Sequence, residues 1–291
     1  MNKKAIVVYV DKTTRCLEEF TWLYKTWLLW DLNDEYDIVA FCNPEIESSL
    51  PKNKSLITKS LEPLNKKGDI WHSYGFVNSF AMFNDKHNID LVSKYDYLLK
   101  SDCDVFLTKN LKGLNPSKVM IGQGGYMEYG DVDLIISKLK KYSNKLDMRY
   151  NNMNHIGASI FARTDEVVKV VRYHFQLTKF ILQSGWDDND IGTWPGWYKG
   201  VASMYAIHLV INHMYGPQTC NLYSIDSRCW NMKIEKDVYH IHAWHTQEYW
   251  SKKKHFNGEY DVLESNKIPE TSEQYCHWIA SNNLDKILSC K

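Results

Sequence analysis

Tyr95-Asp96-Tyr97-Leu98-Leu99-Lys100-Ser101-Asp102-Cys103-Asp104-Val105-Phe106-Leu107 is an apolar, strand-like run that meets two carboxylates one residue apart. Alternate residues of an extended chain point the same way. Asp102 and Asp104 at a strand end can therefore face one hard divalent cation, and a diphosphate can complete its shell. Surface turns also generate Asp-x-Asp pairs, so the rest of the chain has to give this one its meaning.

Upstream, Ala5-Ile6-Val7-Val8-Tyr9-Val10 is continuously apolar and rich in β-branched residues, as expected of a strand buried on both faces of a parallel sheet. Asp11 and Lys12 stand at its carboxyl end. Thr13 and Thr14 are caps for a helix carrying Leu17, Phe20, Tyr24, Trp27 and Leu28 at helical spacing. Tyr36 to Phe41 and Leu56 to Leu61 read as strands two and three, each stopped by a proline segment. Trp71 to Phe83 reads as an aromatic helix. Strand and helix alternate, which implies an α/β fold with a mostly parallel central sheet flanked by helices. Ligands of such sheets bind outside the carboxyl ends of the strands, where Asp11, Lys12, Asp102 and Asp104 all fall.

Downstream, Val119 to Gln123 is a short strand, Asp131 to Leu146 an amphipathic helix, and Asn151 to Ala162 a polar loop entering a strand. Thr164 or Asp165 caps a helix to about Leu182. Gly185-Trp186-Asp187-Asp188-Asn189-Asp190 gathers three acids in a loop, and a further helix is expected to start near Thr193 and Pro195 and to end before Gly216-Pro217.

Lys+Arg and Asp+Glu each number 35, so the chain has no electrostatic footprint for nucleic acid or an anionic membrane, and any bound phosphate must be held locally. The 11 Trp and 19 Tyr either pack the core or stack on sugars and bases. Seven cysteines without a Cys-x-x-Cys pair indicate neither a disulfide framework nor a zinc knuckle, and reduced thiols are expected. Residues 1–4 run straight into the first strand with no apolar signal segment, and Phe20 to Trp30 is too short to span a bilayer. The expected location is cytoplasmic, without membrane insertion.

An apolar strand ending in Asp-x-Asp and followed by Val-Phe-Leu, after alternating strands and helices, resembles the GT-A class of nucleotide-sugar glycosyltransferases. Asp-Cys-Asp-Val-Phe-Leu (102–107), His-Ile-Gly-Ala-Ser-Ile-Phe (155–161) and Trp-Pro-Gly-Trp-Tyr-Lys-Gly-Val (194–201) are similar to glycosyltransferases of large algal DNA viruses. The resemblance implies one Rossmann-like GT-A domain over residues 1–255, with a donor half to about 125 and an acceptor half beyond it. Residues 256–291 then form a closing segment.

Carried over residue by residue, the resemblance makes Asp104 a direct ligand of Mn²⁺ or Mg²⁺ and gives Asp102 the ribose or the metal through water. His242 is the expected third ligand and His245 the runner-up, with Mn²⁺ favoured by a mixed carboxylate and imidazole set. Tyr9, Val10, Asp11 and Lys12 would line the uracil and ribose pocket, and Asn78, Lys100, Ser101 and Lys252 would lie near the donor. Asn78 and Tyr74 occupy a helix where the class usually carries a basic residue. His155, Gly157 and Trp186 would border the acceptor.

The implied activity is transfer from a UDP-sugar, UDP-xylose among the candidates, to a hydroxyl of an oligosaccharide or glycoprotein acceptor such as a viral coat glycoprotein. An inverting reaction needs a carboxylate base, for which Asp188 is the first choice and Asp187 the second; a retaining reaction dispenses with it. The competing readings are a sugar-1-phosphate nucleotidyltransferase and a glycan-binding protein on a degenerate transferase scaffold. No Gly-rich phosphate loop follows the first strand, which counts against the nucleotidyltransferase; the intact acid pair counts against the binding protein.

Overall fold

All seven residues of β1 (Lys4–Val10) are buried, as a strand covered on both faces must be. A computed structural model describes residues 2–72, 74–127, 130–186, 190–243 and 249–291. Around β1 lie β2 (Tyr36–Cys42), β3 (Leu56–Ser60), β4 (Tyr97–Lys100), β6 (Val119–Gln123), β7 (Ile156–Arg163) and β8 (Cys220–Ile225). They form one sheet in the order β3-β2-β1-β4-β7-β6-β8. The first four strands in that order are parallel, β7 runs antiparallel to β4 and β6, and β8 is parallel to β6. The fold is thus α/β with a mostly parallel mixed sheet. A separate two-stranded sheet pairs β5 (Val105–Leu107) with β9 (His240–His242).

Alternation along β1 sends Ala5, Val7 and Tyr9 into one apolar layer and Ile6, Val8 and Val10 into the other. The first layer is closed by α2 (Asn78–Ala81), α4 (Val132–Lys145), α5 (Thr164–Ser184) and α6 (Ala202–Met214). The short α3 (Lys86–Val92) lies just before β4. The second layer is closed by α1 (Thr14–Leu29), whose amino end is capped by the Thr13 side chain accepting from Cys16 N–H.

Helix α1 is apolar on its outer side too, because a third layer lies over it. Trp22 and Leu29 pack with Phe106, Ile241 and Trp250, and with residues of α8 (Ser272–Ser281) and α9 (Leu284–Leu288). Trp22 stacks on Phe106 at 5.3 Å and meets Trp250 edge-on at 5.4 Å. Burying a ring of this size contributes about 4–6 kcal/mol before ordering entropy is subtracted. That cluster fixes α7 (Lys252–Phe256) immediately after Trp250.

Three segments depart from the sequence reading. Residues 71–83 form broken helical turns rather than one helix, since Phe80, Ala81, Met82 and Phe83 are all buried and four consecutive residues cannot share one helical face. The helix expected near Thr193 starts at Ala202 after a turn at Lys199–Val201. The preceding loop is held instead by Trp197, stacked on Tyr205 at 4.2 Å and donating from Nε1 to Gly185 O, and by Tyr205 Oη donating to Gly196 O. Strand β8 carries polar residues at alternate exposed positions and only its two end residues are buried, so it has no apolar signature. Among the described residues no helix is long and apolar enough to cross a membrane.

Candidate metal centre

Parallel β1 and β4, with β6 and β8, deliver their carboxyl ends to one edge of the sheet, and antiparallel β7 delivers its amino end there. Asp11, Asp102, Asp104, His155 and Asp226 therefore lie along the same edge. Strand β4 ends at Lys100, so Asp102 and Asp104 sit in a bend rather than on the strand itself. Ser101 N–H donates to Val7 O, and the Cys103 thiol turns inward to Tyr9 O at 3.0 Å. Cys103 is buried in the second layer, and the Cys16 thiol beside it together with that burial pushes its own thiol well above the ordinary range. With Cys103 as anchor, the flanking acids turn outward.

His242 reaches the acids through β9. Val105 pairs with His242 across the small sheet, Ala243 N–H donates to Asp104 O at 2.8 Å, and His242 N–H donates to Ser227 O at 2.8 Å. One ligand atom each from Asp102, Asp104 and His242 lies within 4.8 Å of the others. Ligand atoms about 2.0–2.6 Å from one ion lie at most about 4–5 Å apart, so the set could hold a single divalent cation. Two carboxylates and an imidazole are an Mn²⁺-compatible donor set.

The charges around the ligands are nearly balanced. His242 Nε2 lies 3.2 Å from Asp104 Oδ1, and Lys252 Nζ bonds Asp104 Oδ2 while also standing 3.2 Å from Glu19. Burial alone would raise the Asp104 carboxyl, but Lys252 and His242 override it and hold the group well below the usual carboxylate range. Burial disfavours charge on His242, yet Asp104 and Asp226 hold its pKa well above the ordinary value. Burial, aided by Asp104, pushes Glu19 up to about 7 in spite of Lys252. Lys100, the last residue of β4, is 1% exposed, and its ammonium stands 3.2 Å from Asp102 Oδ1.

Other residues singled out in the sequence have the following places. Val10 is buried, and Tyr9 is buried with a hydroxyl that lacks a hydrogen-bond partner among the described residues. Asp11 N–H donates to Cys16 Sγ, and the Lys12 ammonium pairs with Glu45 at 2.7 Å. Asn78 is buried and ties down a loop: its Oδ1 accepts from Leu64 N–H and its Nδ2 donates to Asn65. Tyr74 Oη donates to Ser203 Oγ and accepts from Ser203 N–H. Ser101 Oγ lies 2.7 Å from His240 Nε2.

Of the residues expected at the acceptor, His155 has a positive φ of 52° and a buried Nδ1 without a partner among the described residues. The space beside Gly157 is filled by β6: a Cβ there would lie 2.7 Å from Gln123 O. Trp186 stacks on Trp197 at 5.3 Å. Asp187, Asp188 and His245 lie outside the described residues. His240, two residues before His242 on β9, is fully buried and faces Asp226 at 3.0 Å. Asp226 escaped sequence reading because it follows an unrecognised strand as a lone acid among polar residues.

A groove of about 700 Å³ between Ser93 and Gln176, with Arg163, Lys169 and Arg172 on its walls, belongs to the opposite edge of the sheet. It has no part in this cluster, because Arg163 pairs with Tyr97 at the start of β4.

Fold and cluster together define an α/β protein with a candidate divalent-metal centre at the carboxyl edge of a mostly parallel sheet. The chain belongs to a family described as a domain of unknown function (DUF7164), whose model matches residues 1–289. No curated protein matches it.

Proposed function

We propose that this protein is a metal-dependent glycosyltransferase of the GT-A class that transfers a sugar from a UDP-sugar to a hydroxyl of a glycan acceptor. The observation that carries the proposal is the Asp102, Asp104 and His242 cluster at the strand edge where α/β sheets bind their ligands. A divalent ion held there supplies the Lewis acidity that neutralises a leaving diphosphate. Asp104 and His242 are its direct ligands, and Asp102, steadied by Lys100, takes the ion or the ribose. Lys252, released from Asp104, provides an ammonium to the diphosphate oxygens.

Tyr9, with its unpartnered hydroxyl, and Asp11 border the nucleoside at the end of β1. The acceptor hydroxyl attacks the anomeric carbon as the bond from that carbon to the diphosphate oxygen breaks. In the inverting form of the reaction its proton passes to Asp188 or Asp187. UDP-xylose is the first donor to test.

The deciding experiment is calorimetric titration with UDP, with and without Mn²⁺, on the wild-type chain and Asp104→Ala. Binding that requires both Mn²⁺ and the Asp104 carboxylate supports the reading. Absence of UDP binding to the folded wild-type protein in saturating Mn²⁺ overturns it.

A further inference from the structure

Asp226 is the most constrained acid among the described residues, and the chemistry above does not use it. Its residue is fully buried, immediately after β8, with a left-handed φ of 60°. Its Oδ1 accepts from Ser159 Oγ at 2.8 Å and lies 3.0 Å from His240 Nδ1 and 3.5 Å from His242 Nδ1. Its Oδ2 is buried and has no hydrogen-bond partner among the described residues. Room for that oxygen exists only because residue 122 is glycine: a Cβ there would stand 2.0 Å away. The pairing of β6 with β7 shifts register across this glycine, and its pairing with β8 shifts just before it. A buried carboxylate, a left-handed backbone and two irregular strand pairings each cost stability. Their coincidence at one side chain marks a functional constraint.

We propose that Asp226 is the positioning carboxylate of the metal centre, an inference that rests on reading Asp102, Asp104 and His242 as its ligands. By accepting the His242 Nδ1 proton, Asp226 leaves the lone pair on Nε2, the nitrogen that faces Asp104. The same residue steadies the opposite end of the ligand loop through its backbone. His240 Nδ1 accepts from Asp226 N–H at 3.2 Å, Nε2 lies against Ser101 Oγ, and Ser101 Oγ donates to Asp102 O at 3.0 Å. Asp226 thus orients the imidazole ligand with its carboxylate and braces the Asp-x-Asp bend with its backbone N–H through two intermediaries. Ser159 is a partner of Asp226 that touches neither arm, which makes it the control.

The test is Mn²⁺ titration by calorimetry of the wild type, Asp226→Asn and Ser159→Ala, with circular dichroism to establish folding. Loss of an outer-sphere carboxylate typically weakens metal binding about 10- to 100-fold, and that loss is expected for Asp226→Asn. Ser159→Ala is expected to bind as the wild type does. Folded Asp226→Asn with wild-type Mn²⁺ affinity overturns the proposal. Should Asp226→Asn fail to fold, ¹⁵N shifts of His242 in the Mg²⁺-saturated wild type decide instead: protonation at Nδ1 supports the assignment and protonation at Nε2 overturns it. A wild type that binds no divalent ion removes the metal reading itself and this inference with it. Metal binding indifferent to Asp226 removes the inference alone.

Discussion

Replacing Lys252 by Met isolates the charge balance of the centre. Asp104 and Lys252 are 8% and 9% exposed, and the ammonium is shared with Glu19 at 3.2 Å. Removing one partner of a buried ion pair costs about 3–5 kcal/mol. His242 remains beside Asp104, so the lower end, about 3 kcal/mol, is expected for the metal-free protein. Unfolding entropy of about 2.1 cal/mol/K per residue over 291 residues gives roughly 0.6 kcal/mol/K, and hence a Tm lowered by about 5 °C.

On the proposed metal reading, added Mn²⁺ would occupy the place of the lost cation. At about 100 times its Kd it stabilises the wild type by about 2.7 kcal/mol, or roughly 4 °C. The variant is expected to gain more, because no ammonium competes for Asp104. Thermal unfolding followed by circular dichroism, with and without Mn²⁺, measures both quantities. A metal-free variant within about 1 °C of the wild type, or one whose gain from Mn²⁺ is smaller, refutes the account of Lys252 as the cation that holds Asp104.

Other outcomes follow from the same structure. Metal uptake at neutral pH releases a proton from His242, whose pKa lies well above the ordinary value in the metal-free site; calorimetry in buffers of different ionisation enthalpy counts it. Burial lowers His174 and His208 to about 3, so both stay neutral in the fold while the unfolded chain takes up protons below about pH 6.5. Stability contributed by these two residues is lost as pH falls, by about 2.7 kcal/mol per unit. Glu19, raised to about 7, offsets about 1.4 kcal/mol per unit between its unfolded and folded values. Urea unfolding of the metal-free protein should therefore show a shallow loss of stability between pH 6.5 and 4.5 that about doubles in slope in Glu19→Gln; an unchanged slope refutes the assignment. Gly157→Ala places a Cβ 2.7 Å from Gln123 O and 2.9 Å from Gly122 C, backbone atoms that cannot retreat alone. A cost of about 1–3 kcal/mol is expected in chemical denaturation, and a variant as stable as the wild type would contradict the close β6–β7 approach.

The doubly buried strands were legible because a fully covered strand must be apolar at consecutive positions, as residues 5–10 are. Capping chemistry likewise announced α1, whose amino end is held by Thr13, and amphipathic spacing announced α4. Helix boundaries set by tertiary contact were not legible. Trp197 and Tyr205 hold residues 190–198 as a loop against the signal of Thr193 and Pro195, and the broken turns after Trp71 answer to burial on several sides at once. Within the candidate metal centre, the short spacing of Asp102 and Asp104 was a local signal, and the resemblance pointed to His242. Glu19, in the middle of α1, and Asp226, after an edge strand, meet the centre only through packing of segments far apart in sequence. No spacing rule finds such partners.

The third layer also sets an order of events during synthesis. Lys25 Nζ donates to Ile279 O and Asn282 O across 254 and 257 residues, and Tyr275 Oη donates to Leu107 O beside the acid-bearing bend. The outer side of α1 and the small sheet therefore remain uncovered on the nascent chain until α8 has left the ribosome. A fragment stopping short of residue 272 would expose Trp22, Phe106 and Trp250 to solvent, a surface suited to chaperones and to aggregation. Lys252 and β9, which depend on that cluster for their placement, come late as well. On the proposed metal reading, competence to take up a divalent ion should consequently await the docking of α8.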